Sequence, residues 1–324
     1  MPELPEVETI RRQLAPEVTG LRIESAEVHD ERLTRPVAPR RVERGLGGRR
    51  IEGVDRRGKY LLLRLDGDAT LVLHLRMTGN VLLRPADAEN EVADLMETDP
   101  RLGGPRLYES STALRHLRFR MELENGSELL FTDVRRFGTA VLLQGRRGLD
   151  EYLAPRVGVE PLSEELTPES LCRMAAGRTM PLKSFLLTQT GVAGIGNIYA
   201  DEALHRAHLH PLSAAGSMRP EHCEALVEGI VDALEAGLAA GGSSIDDYRD
   251  ARGERGSMQD EFLVHTREGL PCPRCGGEIR RIVVGGRSTY FCPGCQTRLR
   301  RRPRRRKAAP RRPGAKDAST GPAP

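Results

Sequence analysis

Two Cys-x-x-Cys knuckles near the C-terminus, Cys272-Pro273-Arg274-Cys275 and Cys292-Pro293-Gly294-Cys295, constrain the fold more than anything else in the chain. Sixteen residues separate them, enough for a β-hairpin that brings the second knuckle back to the first. Four thiolates at this spacing surround one zinc ion tetrahedrally. Four protein ligands leave no open coordination position, so the zinc is structural and the chemistry must lie elsewhere. An iron site and paired disulfides are the competing readings, and the spacing favours zinc over both.

The rest of the chain is long enough, within 324 residues, for two domains that each bury a core. No apolar run approaches the ~20 residues of a membrane span, and no basic-then-apolar leader opens the chain. A cytoplasmic protein is expected, with its cysteines as reduced thiols or metal ligands rather than disulfides. Cys172 and Cys223, on predicted helices and without knuckle spacing, read as core thiols. The net charge of +4 is unevenly placed: residues 298–324 hold eleven Lys/Arg and one acid, a net of +10, which leaves −6 for residues 1–297. Any nucleic-acid affinity of the body must therefore come from local basic patches.

Residues 21–150 read as β structure. Short apolar or alternating runs at 21–28, 60–65, 70–75, 117–123 and 140–143 are bounded by Gly, Asp and Asn, and Asn125-Gly126 is a hairpin signal. Strands of this length and spacing suggest a sandwich. The segment at about 85–111 breaks the pattern and reads as a solvated insertion. From about Thr167 the period becomes helical, with helices expected over 168–171 and onward, 181–189, 200–207 and 220–240. Leu226, Ile230, Leu234 and Leu238 mark the buried stripe of the last. A proline- and glycine-bearing linker is expected near 150–165, and the tail beyond residue 300 has no means of forming a core.

Chemistry concentrates first at the N-terminus, Met1-Pro2-Glu3-Leu4-Pro5-Glu6-Val7-Glu8-Thr9. Removal of Met1 ahead of a small residue leaves Pro2 with a free secondary amine, a nucleophile with a pKa near ~8. Glu3 stands beside it. A helix then begins, with Pro5 and Glu6 in its first turn and Val7, Ile10 and Leu14 on one face. Further along, Gly191-Val192-Ala193-Gly194-Ile195-Gly196-Asn197-Ile198-Tyr199 runs into a helix whose N-terminal amides are suited to a phosphate. A dinucleotide fold is excluded because a helix, not a strand, precedes the loop. Basic turns at Arg56-Arg57-Gly58-Lys59 and Arg135-Arg136-Phe137, with His74-Leu75-Arg76-Met77, offer cations for phosphates. Met77 and Phe137 are apolar wedges for base steps. His74 reads as a core histidine on a strand.

With these motifs in their order, the chain resembles the bacterial formamidopyrimidine-DNA glycosylases from Pro2 to about Cys295. The resemblance implies an α+β, multidomain fold. An N-terminal β-sandwich with a leading helix (1–150) precedes a helix-two-turn-helix domain (151–265), a four-cysteine zinc β-hairpin (266–299) and a disordered basic tail (300–324). It implies excision of oxidised purines, 8-oxoguanine and formamidopyrimidines, followed by strand cleavage at the abasic site. Pro2 would be the nucleophile, Glu3 the acid/base and Lys59 a contact at the lesion. Met77, Arg135 and Phe137 would fill the void, with His116, Lys183, Asn197 and Arg287 on the DNA. One structural zinc is the implied cofactor, and damaged double-stranded DNA the implied partner. No nucleotide cofactor, no membrane contact and a monomeric chain are expected.

Three places depart from the family pattern: Val134 where proline is common, Ser184-Phe185 where Pro-Trp is common, and Gly256-Ser257-Met258-Gln259 where Gly-x-Phe-Gln is common. The last bears on lesion preference. The alternatives are an endonuclease VIII-like enzyme for oxidised pyrimidines and a zinc-finger protein that senses damage without cleaving. Leu4, where the former group usually has glycine, disfavours the first, and a pure binder needs neither Pro2 nor Glu3.

Overall fold

The computed structural model describes residues 2–86, 116–245 and 248–299. Helix α1 (Leu4–Val18) opens on Glu3, whose amide donates to Glu6 Oε2 at 2.7 Å. Its buried face is Val7, Ile10, Leu14 and Val18, the 3.6-residue stripe expected of a helix lying on a core. Strand β1 (Ile23–Val28) and a short helix α2 (Pro39–Leu46) follow. The strands then run β2 (Ile51–Arg57), β3 (Tyr60–Leu65), β4 (Ala69–His74), β5 (Gly79–Arg84), β6 (Leu117–Leu123), β7 (Glu128–Asp133) and β8 (Thr139–Gln144).

They form two antiparallel four-stranded sheets, ordered β1-β6-β7-β5 and β2-β3-β4-β8. Phe119, Met121, Leu129 and Phe131 from one sheet meet Leu61, Leu63, Leu71 and Leu73 from the other, and α1 packs its stripe into the same core. This is the sandwich expected. The unbroken run of β3 has its cause here: Leu61, Leu63 and Leu65 face the inter-sheet core, while Tyr60 and Leu62 pack outward with Val72, Leu153 and Val157. A strand buried on both faces loses the alternation that marks a half-exposed one. The hairpin at Asn125-Gly126 is present, with Asn125 Oδ1 accepting from Ser127 N at 3.1 Å and Gly126 at φ +80°. The expected insertion at 85–111 falls almost wholly outside the described residues, as does the basic tail.

Helix α3 (Gly145–Leu153) lies on the outer face of the sandwich against β4 and β8, and helices α4 (Pro168–Ala175), α5 (Leu182–Leu186), α6 (Asn197–Arg206) and α7 (Pro220–Ala239) make the second lobe. Helix α6 starts three residues earlier than its periodicity suggested, because Gly196 in extended backbone stands at its N-cap. The stripe of α7 buries Leu226, Ile230 and Leu234, whereas Leu238 is only half-buried and Gly237 faces the Tyr199 ring instead. One expectation is overturned. Cys172 and Cys223 are joined in a disulfide, with Cα atoms 5.8 Å apart, because packing of α4 on α7 brings together two helix positions that are 51 residues distant. Nothing in their spacing carries that pairing.

The lobes interlock at both ends of their sequences. Leu4 of α1 belongs to the helical core, while Tyr248 and Ala251, which follow α7, belong to the sandwich core. Strands β9 (Arg280–Val284) and β10 (Arg287–Phe291) form the final hairpin, packed on α6. Among the described residues no helix is long and apolar enough to cross a membrane.

Candidate active site

The start of α1 sits between the lobes. Pro2 and Glu3 are buried there, and Leu4 N donates to Gly194 O at 3.0 Å, tying the chain start to the glycine-rich loop. Gly194 has φ +79°, and a side chain at that position would run into Leu4, so glycine is required twice over. The Glu3 carboxylate accepts from Gly196 N at 2.7 Å and Ile198 N at 3.0 Å, so it occupies the N-terminus of α6. This corrects the reading of that turn as a phosphate seat. The free amides and the positive helix end are present as expected, but the chain's own carboxylate neutralises them.

Glu6 lies one turn deeper and is fully buried. It accepts from Glu3 N and Ser243 N, both at 2.7 Å, and from the Tyr199 hydroxyl at 2.9 Å. Burial first, then the neighbouring charge of Glu3, holds its carboxyl above the usual carboxylate range. Lys59 faces the same two acids from the β2–β3 turn. Burial lowers its ammonium from the ordinary lysine value, while the charges of Glu3 and Glu6 oppose that shift.

The Lys59 turn is held by a residue that sequence reasoning did not single out. Glu160, in the segment between the lobes, accepts from Gly58 N at 2.5 Å and pairs with Arg56 at 2.9 Å and Arg57 at 3.1 Å. Arg56 also reaches Glu8 on α1 at 3.0 Å. Two acids flanking two arginines fix the turn that carries Lys59. A cavity of about 340 Å3 opens beside it, lined by Lys59, Tyr60, His74, Arg76, Arg156 and Gln189 among others. His74 is buried on β4 as expected. Its Nδ1 accepts from Arg76 N at 3.0 Å, and burial together with the charges of Arg76 and Lys59 holds its pKa to about 3, so the ring is neutral at pH 7.

At the rim of the sandwich the register of β5 with β7, Gly79 opposite Asp133, brings the turns that carry Met77 and Phe137 side by side. Asp133 is the hub: its carboxylate accepts from the Thr78 hydroxyl at 2.5 Å, Arg135 N at 3.2 Å and Gly138 N at 2.7 Å. Met77 is half-buried, Arg135 is exposed, and its guanidinium lies 4.8 Å from the Phe137 ring, which is 51% exposed. Phe137 thus presents an apolar ring to solvent with one arginine stacked on it. Arg136 points the other way, into an ion pair with Asp30 at 2.5 Å. His116 is half-buried at the foot of β6, with its carbonyl accepting from Asp133 N at 2.9 Å.

Asn197 is the first residue of α6, and its Nδ2 donates to Ser288 O of the hairpin at 3.0 Å, which sets exposed Arg287 on the same side as Lys59 and Lys183. Lys183 itself does not reach the surface, contrary to its expected place among the DNA contacts. It has no exposed area and donates to Asn197 O at 2.8 Å and Asp201 Oδ1 at 2.5 Å. A buried ammonium needs an ionic partner, and Asp201 supplies it from the next helix.

The four knuckle cysteines have their sulfur atoms within 4.8 Å of one another. Cys272 and Cys295 are 3.8 Å apart and Cys275 and Cys292 3.5 Å. Zinc–sulfur bonds of about 2.3 Å in a tetrahedron require edges of about 3.8 Å, so the residues fit one zinc ion and no disulfide. His205 Nε2, on α6, is 3.4 Å from Cys272 Sγ, so the knuckle leans on the helix that Glu3 caps.

Comparison with known proteins agrees with this geometry. Family models match residues 1–140 (formamidopyrimidine-DNA glycosylase N-terminal domain), 157–249 (its H2TH domain) and 269–298 (the zinc finger found in FPG and IleRS). Curated formamidopyrimidine-DNA glycosylases of Chloroflexus aurantiacus and Heliobacterium modesticaldum are 42% and 44% identical, over 91% of this chain and 98% and 100% of theirs. A Lactococcus lactis FPG variant solved with Fapy-dG-containing DNA superposes with a TM-score of 0.78 at 35% identity, covering 92% of this chain and 100% of that one. The Lactococcus lactis Fpg bound to DNA with an abasic site gives 0.77 at 34% identity, covering 91% and 100%. With three family models in order and relatives matched nearly end to end, the chain belongs to the formamidopyrimidine-DNA glycosylase family.

Proposed function

We propose that this chain excises oxidised purines from duplex DNA through an iminium on Pro2 and then cleaves the strand at the abasic site. The carrying observation is the pairing of Pro2 with a buried carboxylate, Glu3, that is clamped to the N-terminus of α6. A base inside a duplex is out of reach of an amine buried between lobes, so the nucleotide must leave the stack. Met77, Arg135 and Phe137 wedge into the gap. Arg287, Asn197 and Lys59 hold the flanking phosphates and the lesion nucleotide, with His116 a further contact. Solved relatives carry Fapy-dG or carbocyclic 8-oxo-G in their DNA, the lesion class assigned here, and another carries an abasic site, the kind of site that base excision leaves.

Attack of the secondary amine on the sugar C1′ forms the C–N bond as the C1′–N bond to the base breaks. Glu3 delivers protons during ring opening and base loss. A secondary amine yields only a charged iminium, an electron sink that acidifies the adjacent sugar C–H. Loss of that proton expels the 3′-phosphate, and a second elimination expels the 5′-phosphate, with Glu3 again moving protons. A zinc ion held by Cys272, Cys275, Cys292 and Cys295 would supply no step. Four thiolate ligands would leave it no open position, and it would hold the hairpin that carries Arg287. The setting is the bacterial cytoplasm, on nucleoid DNA, where the monomer works alone.

Borohydride reduction in the presence of 8-oxoguanine duplex tests the reading. Untagged protein should be trapped covalently, faster than on an oxidised-pyrimidine duplex, and peptide mapping should place the adduct on residue 2. An adduct on Lys59 would exchange the roles of the two residues.

A further inference from the structure

Behind the site runs a buried ionic chain that the reaction scheme leaves without a task. Lys183 on α5 donates to Asp201 Oδ1 at 2.5 Å, and His265 Nδ1 lies 2.8 Å from Asp201 Oδ2. Lys183, Asp201 and His265 are 0%, 1% and 5% exposed. The ring of His265 stands edge-on to Phe262 and to Tyr290 of the zinc hairpin, with centroids 5.4 and 5.0 Å away. The other end of the chain reaches the site: Lys183 also donates to Asn197 O, and the side chain of Asn197 holds Ser288 of β10. Thus three segments far apart in sequence close on the first turn of α6, the turn whose amides bind Glu3.

A core does not need this arrangement. Burying an ammonium and a carboxylate is expensive, and an apolar set of equal volume would pack as well. Ionic geometry does, however, fix positions in a way that apolar contacts do not, because each hydrogen bond has one direction and one length.

We propose that Asp201 and His265 are positioning residues for base excision. Asp201 sets the Lys183 ammonium under the Asn197 carbonyl. His265 locks the second carboxylate oxygen of Asp201 and rests on the hairpin. Together they hold the distance between the amides that seat Glu3 and the strand that carries Arg287. The proposal rests on the acid/base role given to Glu3 above.

The test compares two substitutions at one position. His265→Phe keeps the ring contacts with Phe262 and Tyr290 and removes the hydrogen bond to Asp201, whereas His265→Gln keeps a donor and removes the ring. Single-turnover excision of 8-oxoguanine by saturating zinc-loaded protein should fall about tenfold or more in His265→Phe and recover most of that loss in His265→Gln. Thermal midpoint and zinc content are read alongside. Asp201→Ala strands a buried ammonium and is expected to unfold the lobe, so Asp201→Asn is used, and it should lower the excision rate while binding to an abasic-analogue duplex changes less. A His265→Phe protein at the wild-type rate, or a His265→Gln protein no better than His265→Phe, overturns the proposal and leaves a packing role only. Glu3→Gln is run in parallel: if it retains excision, the reading of Glu3 fails, an outcome independent of the His265 comparison.

Discussion

Glu3 does two things with one side chain, and the second is visible only in three dimensions. It stands next to the amine, and it caps a helix that begins 194 residues later in the chain. Gly196 makes room for it: a Cβ there would overlap the carboxylate, although the backbone at φ −123° suits any residue. Gly196→Ala is therefore expected to displace Glu3 without straining the backbone, lowering base excision about a hundredfold, as loss of a general acid–base group does. Single-turnover kinetics with an unchanged circular-dichroism spectrum would show it. A retained Met1 or an N-terminal tag should abolish excision and strand scission while binding to an abasic-site duplex survives, since no phosphate contact depends on the amine. The pair of Asp30 and Arg136 gives a pH-dependent prediction. The hydrogen bond from Arg136 draws the Asp30 carboxyl from 3.8 down to about 2, so its stabilisation is complete above pH 3.8 and is lost as pH falls through about 2. In denaturant titrations the stability gap between wild type and Asp30→Asn should be constant near neutrality and narrow below pH 3.8.

At the scale of elements, the hairpin of β9 and β10 and the helix pair of α4 and α7 depend on sulfur in opposite ways. The hairpin has a core of Val264, Cys272, Ile279 and Cys292, too small to persist without its metal. Chelation of zinc should unfold it and abolish DNA binding, with the amides of the sandwich still protected in hydrogen exchange. The disulfide between α4 and α7 instead closes a loop of 51 residues around α5, α6 and the glycine-rich turn. In the chain-entropy account such a loop contributes about 4 kcal/mol. Cys172→Ser should lower the melting temperature in oxidising buffer and have no effect in reducing buffer, where the wild type also loses the bridge.

The whole molecule is a cleft between lobes whose segments cross over: the first residue of α1 is in the helical core, and the segment after α7 is in the sandwich core. The position of one lobe on the other is thus tied to the N-terminus. The body carries net negative charge, so the hold on DNA proposed above rests on local cations such as Arg135 and Arg287, while residues 300–324 add ten Lys/Arg and one acid. Each phosphate neutralised changes the salt slope by about 0.9, so removal of that tail should flatten the dependence of log K on log salt and leave single-turnover excision unchanged. An equal slope before and after truncation would mean the tail does not touch DNA.

What the sequence by itself determined was local or periodic: the zinc ligands from knuckle spacing, the Pro2–Glu3 pair from position, the β6–β7 turn from Asn125-Gly126, the buried face of α1 from its repeat. These rest on interactions within a few residues, or on a metal whose ligand spacing is stereotyped. Tertiary structure decided the partners across the chain. The phosphate seat expected at α6 belongs to Glu3, Lys183 left the surface for Asp201, Cys172 found Cys223, and Glu160 took hold of the Lys59 turn. Each of these is a charge or a sulfur satisfied by a group 18 to 193 residues away. No spacing rule encodes such pairs, because burial chooses them: once the lobes close, every polar atom taken from water must bond to whatever the packing has placed beside it.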